Sequence, residues 1–271
     1  MRVRGPALVT GAGRGLGRAV ALELARRGFT VVATMRDPAA GAGLPGEAAA
    51  LAGSIRVARL DVQRPEALEI PDGLQVLVNN AGVETAYEPV EHAAPSAWRE
   101  VFETNVFGLV EVTRRALPVL RTAGGGVICN VSSAALLFPM PFYSVYRASK
   151  AAVAAFGESL AAELAAHGVR VLEVLPGPIA TDLLAGSDRR PEAAAHEPYR
   201  ELAEWAWRGR RAAAASPTPA AEAARRIADA ILDDASPHRV ACDPVGEALL
   251  AATDATPHAA RLRAALRALE P

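Results

Sequence analysis

The chain has 271 residues, of which 51% are hydrophobic and 22% charged. That length fits one or two domains and buries a core without cross-links. Its 29 basic and 30 acidic residues leave a formal charge of −1, which excludes a protein built to neutralise many phosphates, as a nucleic-acid binder must. Two cysteines, Cys129 and Cys242, are too few for a disulfide framework or a Cys-based zinc site. The five histidines are scattered without ligand spacing, so no metal is expected. Residues Met1–Pro6 carry no signal-peptide core, and no window is long and apolar enough to span a membrane. These features are expected of a soluble, cytoplasmic protein.

The elements alternate from the start. The first strand, Ala7–Thr10, runs into Gly11-Ala12-Gly13-Arg14-Gly15-Leu16-Gly17 and a helix over Leu16–Arg27. Glycines there let the backbone turn sharply and approach a pyrophosphate, whose charge sits at the helix N-terminus. A second strand, Thr30–Met35, ends where a ribose-binding acid would stand for NAD, yet Met35 holds that place and Arg36 follows. Arg36, with Arg14 reaching the same corner, is suited to a 2′-phosphate, so NADP(H) is expected over NAD(H). The alternative is that Arg36 is solvated and Asp37 accepts the ribose hydroxyl. Strands Ile55–Leu60 and Gln75–Asn79 follow, with short connections at Gly41–Gly53 and Val62–Gly73 that leave room only for stubby helices. A long helix over Ser96–Arg121 leads to strand Gly126–Val131, then a helix over Val145–His167 to strand Val169–Leu175.

From Asp182 to Pro217 the rhythm breaks. This polar stretch carries Tyr199, Trp205 and Trp207 and reads as a lid rather than a second domain. The two tryptophans could face a bulky substrate or pack on the body. A helix over Pro219–Asp233 follows, with Thr218 as N-cap and Pro219 in its first turn. Strand Arg239–Cys242 and an Ala/Arg/Leu-rich helical tail, Val245–Pro271, complete the chain. Buried apolar strands alternating with helices specify a single α/β domain over 1–271: a doubly wound, Rossmann-type, seven-stranded parallel sheet with helices on both faces.

All but one of the 29 basic residues are arginine; the exception is Lys150. It stands four residues after Tyr146, on the same helical face. A phenol with a pKa near 10 is a poor base at neutral pH, and a nearby ammonium favours its phenolate. Carbonyl/alcohol chemistry needs such a group, because a proton must reach or leave oxygen as hydride moves at carbon. Tyr143 has Arg147 at the same spacing and reads as a decoy.

Together the glycine turn, Asn79-Asn80-Ala81-Gly82, Ser133 thirteen residues before Tyr146, Tyr146-x-x-x-Lys150 and Pro176-Gly177-Pro178-Ile179-Ala180-Thr181 resemble the short-chain dehydrogenase/reductase family over roughly residues 5–245. The stretches Ala33–Asp37, Pro139–Phe142 and Val145-Tyr146 are similar to NADP-preferring hydroxysteroid and retinol dehydrogenase members. The resemblance implies Tyr146 as general acid/base, Lys150 lowering its pKa and holding the nicotinamide ribose, Ser133 on the substrate oxygen, and Asn105 holding a water beside the lysine. It further implies that Asp61 contacts adenine with Val62 packing on it, that Asn79 and Gly82 wall the adenosine ribose, that Ile179 and Thr181 fix the carboxamide, and that Ala81, Pro176 and Gly177 also bind the cofactor. Gly11, Gly13, Arg14, Gly15, Leu16 and Gly17 would carry the pyrophosphate turn. The expected activity is NADP(H)-dependent interconversion of a ketone or aldehyde and an alcohol, on a bulky apolar substrate of steroid, retinoid or polyketide type.

Two other readings use the same fold. A nucleotide-sensing protein without turnover would have no reason to keep Asn105, Ser133, Tyr146 and Lys150 together. An epimerase or dehydratase of nucleotide sugars would carry a larger C-terminal substrate region. The family commonly assembles as homodimers or homotetramers, and the small residues of Ala151–Ala166 would let two helices pack closely.

Overall fold

The computed structural model describes residues 1–187 and 189–267. Among these, the strands in chain order are β1 Ala7–Val9, β2 Thr30–Met35, β3 Ser54–Arg59, β4 Val76–Asn79, β5 Gly126–Val131, β6 Val169–Leu175, β7 Ile179–Ala180, β8 Thr218–Pro219 and β9 Arg239–Ala241. The α-helices are α1 Gly15–Arg26, α2 Leu44–Ala48, α3 Pro95–Phe102, α4 Leu109–Thr122, α5 Ser144–Leu164, α6 Asp182–Ser187, α7 Arg200–Ala213, α8 Ala220–Leu232, α9 Pro244–Ala255 and α10 His258–Arg267. Seven strands form one sheet in the order β3-β2-β1-β4-β5-β6-β9, every pair parallel. The order reverses between β1 and β4, and at such a point the helices leave to opposite faces and open a crevice at the strands' carboxyl ends.

Alternate residues of each strand feed two separate cores. Ala7, Val9, Val31, Ala33 and Val78 pack with Val20 and Leu24 of α1 and Ile227 and Ile231 of α8. Leu8, Val32, Leu77 and Ile128 pack with Val112 and Leu120 of α4 and Leu160 and Leu164 of α5. Burial on both faces is why these strands read as continuous apolar runs, and each fully buried aliphatic side chain contributes roughly 1.5–3 kcal/mol.

The seven expected strands form within a residue or two of their expected limits. The long helix before β5 is divided: α3 and α4 are joined by a π-helical turn, Glu103–Gly108. The connections at 41–53 and 62–73 are indeed stubby, holding the five-residue α2 and a 3₁₀ turn, Pro65–Ala67. One cap is displaced. Thr218 is not the N-cap of α8; Pro219 is, with no side-chain cap bond. Thr218 is drawn off because it pairs with Ile179 in the small β7–β8 sheet, so tertiary pairing overrides local cap preference.

That small sheet closes the base of the 182–217 segment, which holds α6, two 3₁₀ turns and α7. Ala193, Ala194 and Ala203 form a small core of their own, covered by Phe142. The backbone N–H of Ala193 donates to the Tyr87 carbonyl at 3.0 Å, which ties the segment to the loop after β4. The tail forms α9 and α10; its residues 268–271 lie outside the described residues.

Candidate active site

The glycine turn and the end of β4 are laced together. Gly11 and Gly15 adopt φ of +65° and +55°, a region costly for residues with a Cβ. A Cβ on Gly17 would lie 2.2 Å from Asn80 Nδ2 and 2.5 Å from the Gly11 carbonyl oxygen. Asn80 Nδ2 donates to the carbonyls of Thr10 (2.9 Å) and Gly11 (3.2 Å), while Thr10 Oγ1 accepts from the Asn80 and Ala81 N–H groups. The first turn of α1 has neither an acidic residue nor a side-chain cap. Its free N–H groups and positive dipole end therefore suit an anionic diphosphate.

At the end of β2, Met35 is buried beneath this turn; the Cβ positions of Gly13 and Gly41 lie 3.3 Å and 2.6 Å from its Sδ. Arg36 and Asp37 are exposed beyond it. Asp37 Oδ1 accepts the Ala39 N–H at 3.0 Å, capping a 3₁₀ turn. Arg36 forms no ion pair among the described residues, and Arg14 lies 3.8 Å from Asp182 of α6. Both arginines line the same cleft as Asp61, Val62, Ala81, Gly82, Pro176, Gly177, Ile179 and Thr181. The cleft encloses about 620 Å³ and continues past Ser133, Tyr146 and Lys150.

The cluster at the far end of this cleft is built by β5 and α5. Ser133 follows β5, and its Oγ accepts the Ala135 N–H at 3.1 Å while lying near enough to Tyr146 to favour its phenolate. Phe142, at φ +63°, turns the chain into α5; a non-glycine residue there is strained, as often happens beside a functional group. Lys150, one turn beyond Tyr146, is buried and donates to the Val131 carbonyl at 2.9 Å, with Nζ 5.6 Å from the Tyr146 ring centre. Burial brings its pKa down to about 8, against the opposing charges of Glu173 and Glu84.

The phenol does not follow the expected direction. Burial, reinforced by the Glu84 charge, pushes Tyr146 above its ordinary value, and nearby Ser133 only partly opposes this. Lys150 directs its ammonium at a backbone carbonyl, so desolvation outweighs any pull from the lysine. Asn105 also differs in detail. Its Oδ1 accepts the Val83 N–H, and its Nδ2 donates to the Val83 carbonyl and to Ser149 Oγ. With its amide engaged in this way, it clamps the Gly82-Val83 backbone beside Lys150, and a water partner would have to be its main chain.

Asn79 is not brought to the cleft. It is buried in β4, where Nδ2 donates to Thr113 Oγ1 and Asn130 Oδ1, both at 2.9 Å. Side chains alternate along a strand, so the next residue, Asn80, takes the wall position instead. Two supports went unread in the sequence. Asp243, fully buried at the N-cap of α9, accepts the N–H groups of Gly177 (2.6 Å) and Gly246 (2.9 Å) and pins the Pro176-Gly177 corner. Glu84 lines the cleft, and Tyr143 donates its hydroxyl to it, so Tyr143 is part of the wall rather than a bystander. The sequence signal for Glu84 was only an acid two residues past Gly82. Trp205 and Trp207 do not line this cleft; Trp207 has the Arg211 guanidinium 5.3 Å above its ring. Cys129 and Cys242 are buried free thiols, and burial pushes Cys129 up to about 12, so neither offers a reactive thiolate.

Comparison with known proteins agrees with this geometry. The chain matches the short chain dehydrogenase family over residues 6–192. It is 36% identical over 205 residues to sulfoacetaldehyde reductase 2 of Chromohalobacter salexigens, covering 72% of this chain and 80% of that one. It is 35% identical over 193 residues to estradiol 17-beta-dehydrogenase 2 of Rattus norvegicus, covering 67% and 50%. Among solved structures, a short chain dehydrogenase/reductase from Burkholderia phymatum in complex with NAD superposes with a TM-score of 0.76 at 28% identity, covering 94% of this chain and 93% of that one. A short chain dehydrogenase from Burkholderia cenocepacia in complex with NADP gives 0.71 at 28% identity, covering both chains fully. The matched residues take in this chain's glycine turn and its Ser133, Tyr146 and Lys150: the chain belongs to the short-chain dehydrogenase/reductase family, whose members are nicotinamide-dependent oxidoreductases.

Proposed function

We propose that the protein is an NADP(H)-dependent oxidoreductase that interconverts a ketone or aldehyde and the corresponding alcohol. The observation that carries the chemistry is the convergence of Ser133 and Tyr146 at the end of the cleft, with buried Lys150 behind them. When bound, the nicotinamide supplies or takes up the hydride. Ser133 and Tyr146 orient the substrate oxygen, and Tyr146 transfers its proton. A phenol held above its ordinary pKa is fully protonated at neutral pH, which suits it to donate a proton in carbonyl reduction. Lys150 and Asn105 hold the floor of the site by fixing the Val131 and Val83 backbones.

The cofactor preference rests on β2. Met35 fills the space an acid would occupy, and Asp37 caps a turn, which leaves the exposed Arg36 and Arg14 to meet a 2′-phosphate. Similar proteins carry either cofactor, since the two superposed structures hold NAD and NADP respectively. The test is a fluorescence titration with NADPH and NADH side by side. Selective NADPH binding is expected, and Arg36→Asp should cost about 10- to 150-fold in NADPH affinity, the worth of one charge-assisted pair. Unchanged selectivity in that variant would remove Arg36 from the account.

The notion of a bulky apolar substrate is supported by the likeness to estradiol 17-beta-dehydrogenase 2 and by Leu183 and Leu184 at the cleft edge. Among the described residues no helix is long and apolar enough to cross a membrane, which fits the proposal of a cytoplasmic enzyme. Assembly as a homodimer or homotetramer draws on the exposed small residues Ala151, Ala155 and Ala162 of α5. A light-scattering mass of two or four chains is expected; a monomer at working concentrations would end that part of the proposal.

A further inference from the structure

The half of the cleft nearest Tyr146 is not an apolar slot. Glu84 is half-buried on its wall, where Tyr143 donates its hydroxyl to one carboxylate oxygen. The Tyr143 ring lies 5.1 Å from that of Tyr146 and stacks 5.2 Å from that of Tyr87. From the 182–217 segment, the Arg210 guanidinium lies 3.7 Å from the centre of the Tyr87 ring and 5.8 Å from that of Tyr143, and Arg189 lies 5.8 Å from Tyr87. The Glu84 carboxyl and the Tyr143 and Tyr146 phenols therefore line the space beside the reacting oxygen, with Tyr87 and the two guanidinium groups packed against this wall. The Glu84 charge reaches both Tyr146 and Lys150.

A hydrocarbon placed against this wall would strip the carboxylate of its hydrogen bonds from water and supply none in their place, at a cost of the order of 1–3 kcal/mol or more. A carboxylate has about four acceptor positions on its two oxygens; the Tyr143 hydroxyl occupies one and Tyr87 engages the carboxyl as well. A substrate carrying its own donor would meet the rest without that loss.

We propose that Glu84 is a specificity-determining residue, and that the substrate carries a hydrogen-bond donor, a hydroxyl or an ammonium, within a few bonds of the reacting carbon. This inference rests on the carbonyl/alcohol reading and narrows its substrate: whatever the apolar bulk further out, the end that reacts is polar. The lid arginines fit the same picture, since Arg210 closes over the ring stack on which Glu84 is mounted.

The probes are 2-hydroxyacetophenone and 2-methoxyacetophenone, electronically alike but differing in one O–H donor, with 2-aminoacetophenone as the cationic arm, each reduced with NADPH. The wild-type enzyme is expected to favour the hydroxy over the methoxy ketone by about tenfold or more in kcat/KM, as a site built around a substrate hydroxyl does. Glu84→Leu should bring that ratio close to one. Glu84→Gln keeps the shape and an acceptor but not the charge, so it should retain part of the hydroxy preference and lose preference for the amino ketone; it also serves if the leucine variant fails to fold. A wild-type ratio near one, or an undiminished hydroxy preference in Glu84→Leu together with an undiminished amino preference in Glu84→Gln, would overturn the inference. If none of the three ketones is reduced while NADPH still binds, the substrate class falls and the cofactor reading stands; loss of NADPH binding itself would take down the wider reading instead.

Discussion

Tyr146→Phe is expected to lower turnover by at least about 10²- to 10⁴-fold in both directions, the usual contribution of a positioned acid/base, while NADPH affinity stays within a factor of a few. The substitution removes one oxygen and little else. The phenyl ring still fills the buried site against Tyr143 at 5.1 Å, and Ser133 Oγ keeps its bond from the Ala135 N–H. Folding should therefore be almost unaffected, and the loss belongs to proton transfer. The wild-type pH profile carries a second signature. Because burial raises the Tyr146 pKa, the reductive rate should hold into the alkaline range, whereas alcohol oxidation, which needs the phenolate, should climb with pH. Steady-state consumption of NADPH on any reduced ketone, with a binding titration in parallel, decides it. Rates near wild type in the phenylalanine variant would remove Tyr146 from the chemistry.

Lys150→Met should separate function from stability. Activity is expected to fall by about 10²-fold or more, since no other cation stands in the buried layer behind Tyr146 among the described residues, and arginine could not fit a compact ammonium site. Yet the folded protein should become more stable at pH 7. Desolvation lowers the Lys150 pKa from 10.5 to about 8, already net of Glu173 and Glu84. Between those pH values the unfolded chain binds the proton and the folded one releases it, so the wild type gains stability as pH rises through this window. Below pH 8 the full penalty applies, about 3 kcal/mol by the pKa difference. The hydrogen bond to the Val131 carbonyl returns about 1 kcal/mol of it. A net gain of about 2 kcal/mol is thus expected for the methionine variant at pH 7, shrinking towards zero or reversing near pH 10.5. Denaturant unfolding of both proteins at the two pH values measures it. A variant less stable at pH 7, with the same deficit at pH 10.5, would show that Lys150 carries no buried-charge penalty.

A methionine variant more stable at pH 7 would mark Lys150 as kept for its chemistry at a cost in stability, a familiar trade between stability and activity. The pattern recurs at Phe142, whose strained backbone delivers Tyr143 and Tyr146 into the cleft, and at the π-helical turn that carries Asn105 to Val83. Turns of this kind cluster at functional sites because they shift a side chain's register against its helix.

What the sequence by itself determined was everything encoded locally. Apolar runs of strand length separated by helical stretches gave the parallel sheet, because burial on both faces leaves a periodicity that needs no knowledge of neighbours. The glycine turn, the Tyr146–Lys150 spacing and Arg36 after Met35 were legible for the same reason: each is a few consecutive residues whose geometry is set by one turn or one helix face. What only the tertiary structure decided involved groups far apart in the chain. Asn79 and Asn80 are neighbours of equal chemistry, and only the pairing of β4 with β5 and the approach of Gly17 settle which one faces the cleft. Thr218 left its cap position because Ile179 offered a strand partner. The Tyr146 pKa turned on the balance of desolvation against charge, and that balance depends on Glu84, 62 residues away in the chain, and on which carbonyl Lys150 chooses. Glu84 itself acquires meaning only where Tyr143, Tyr87 and Arg210 meet around it. Local periodicity fixes backbone elements, but electrostatics and hydrogen-bond partners depend on distance in space, and that distance is set by packing.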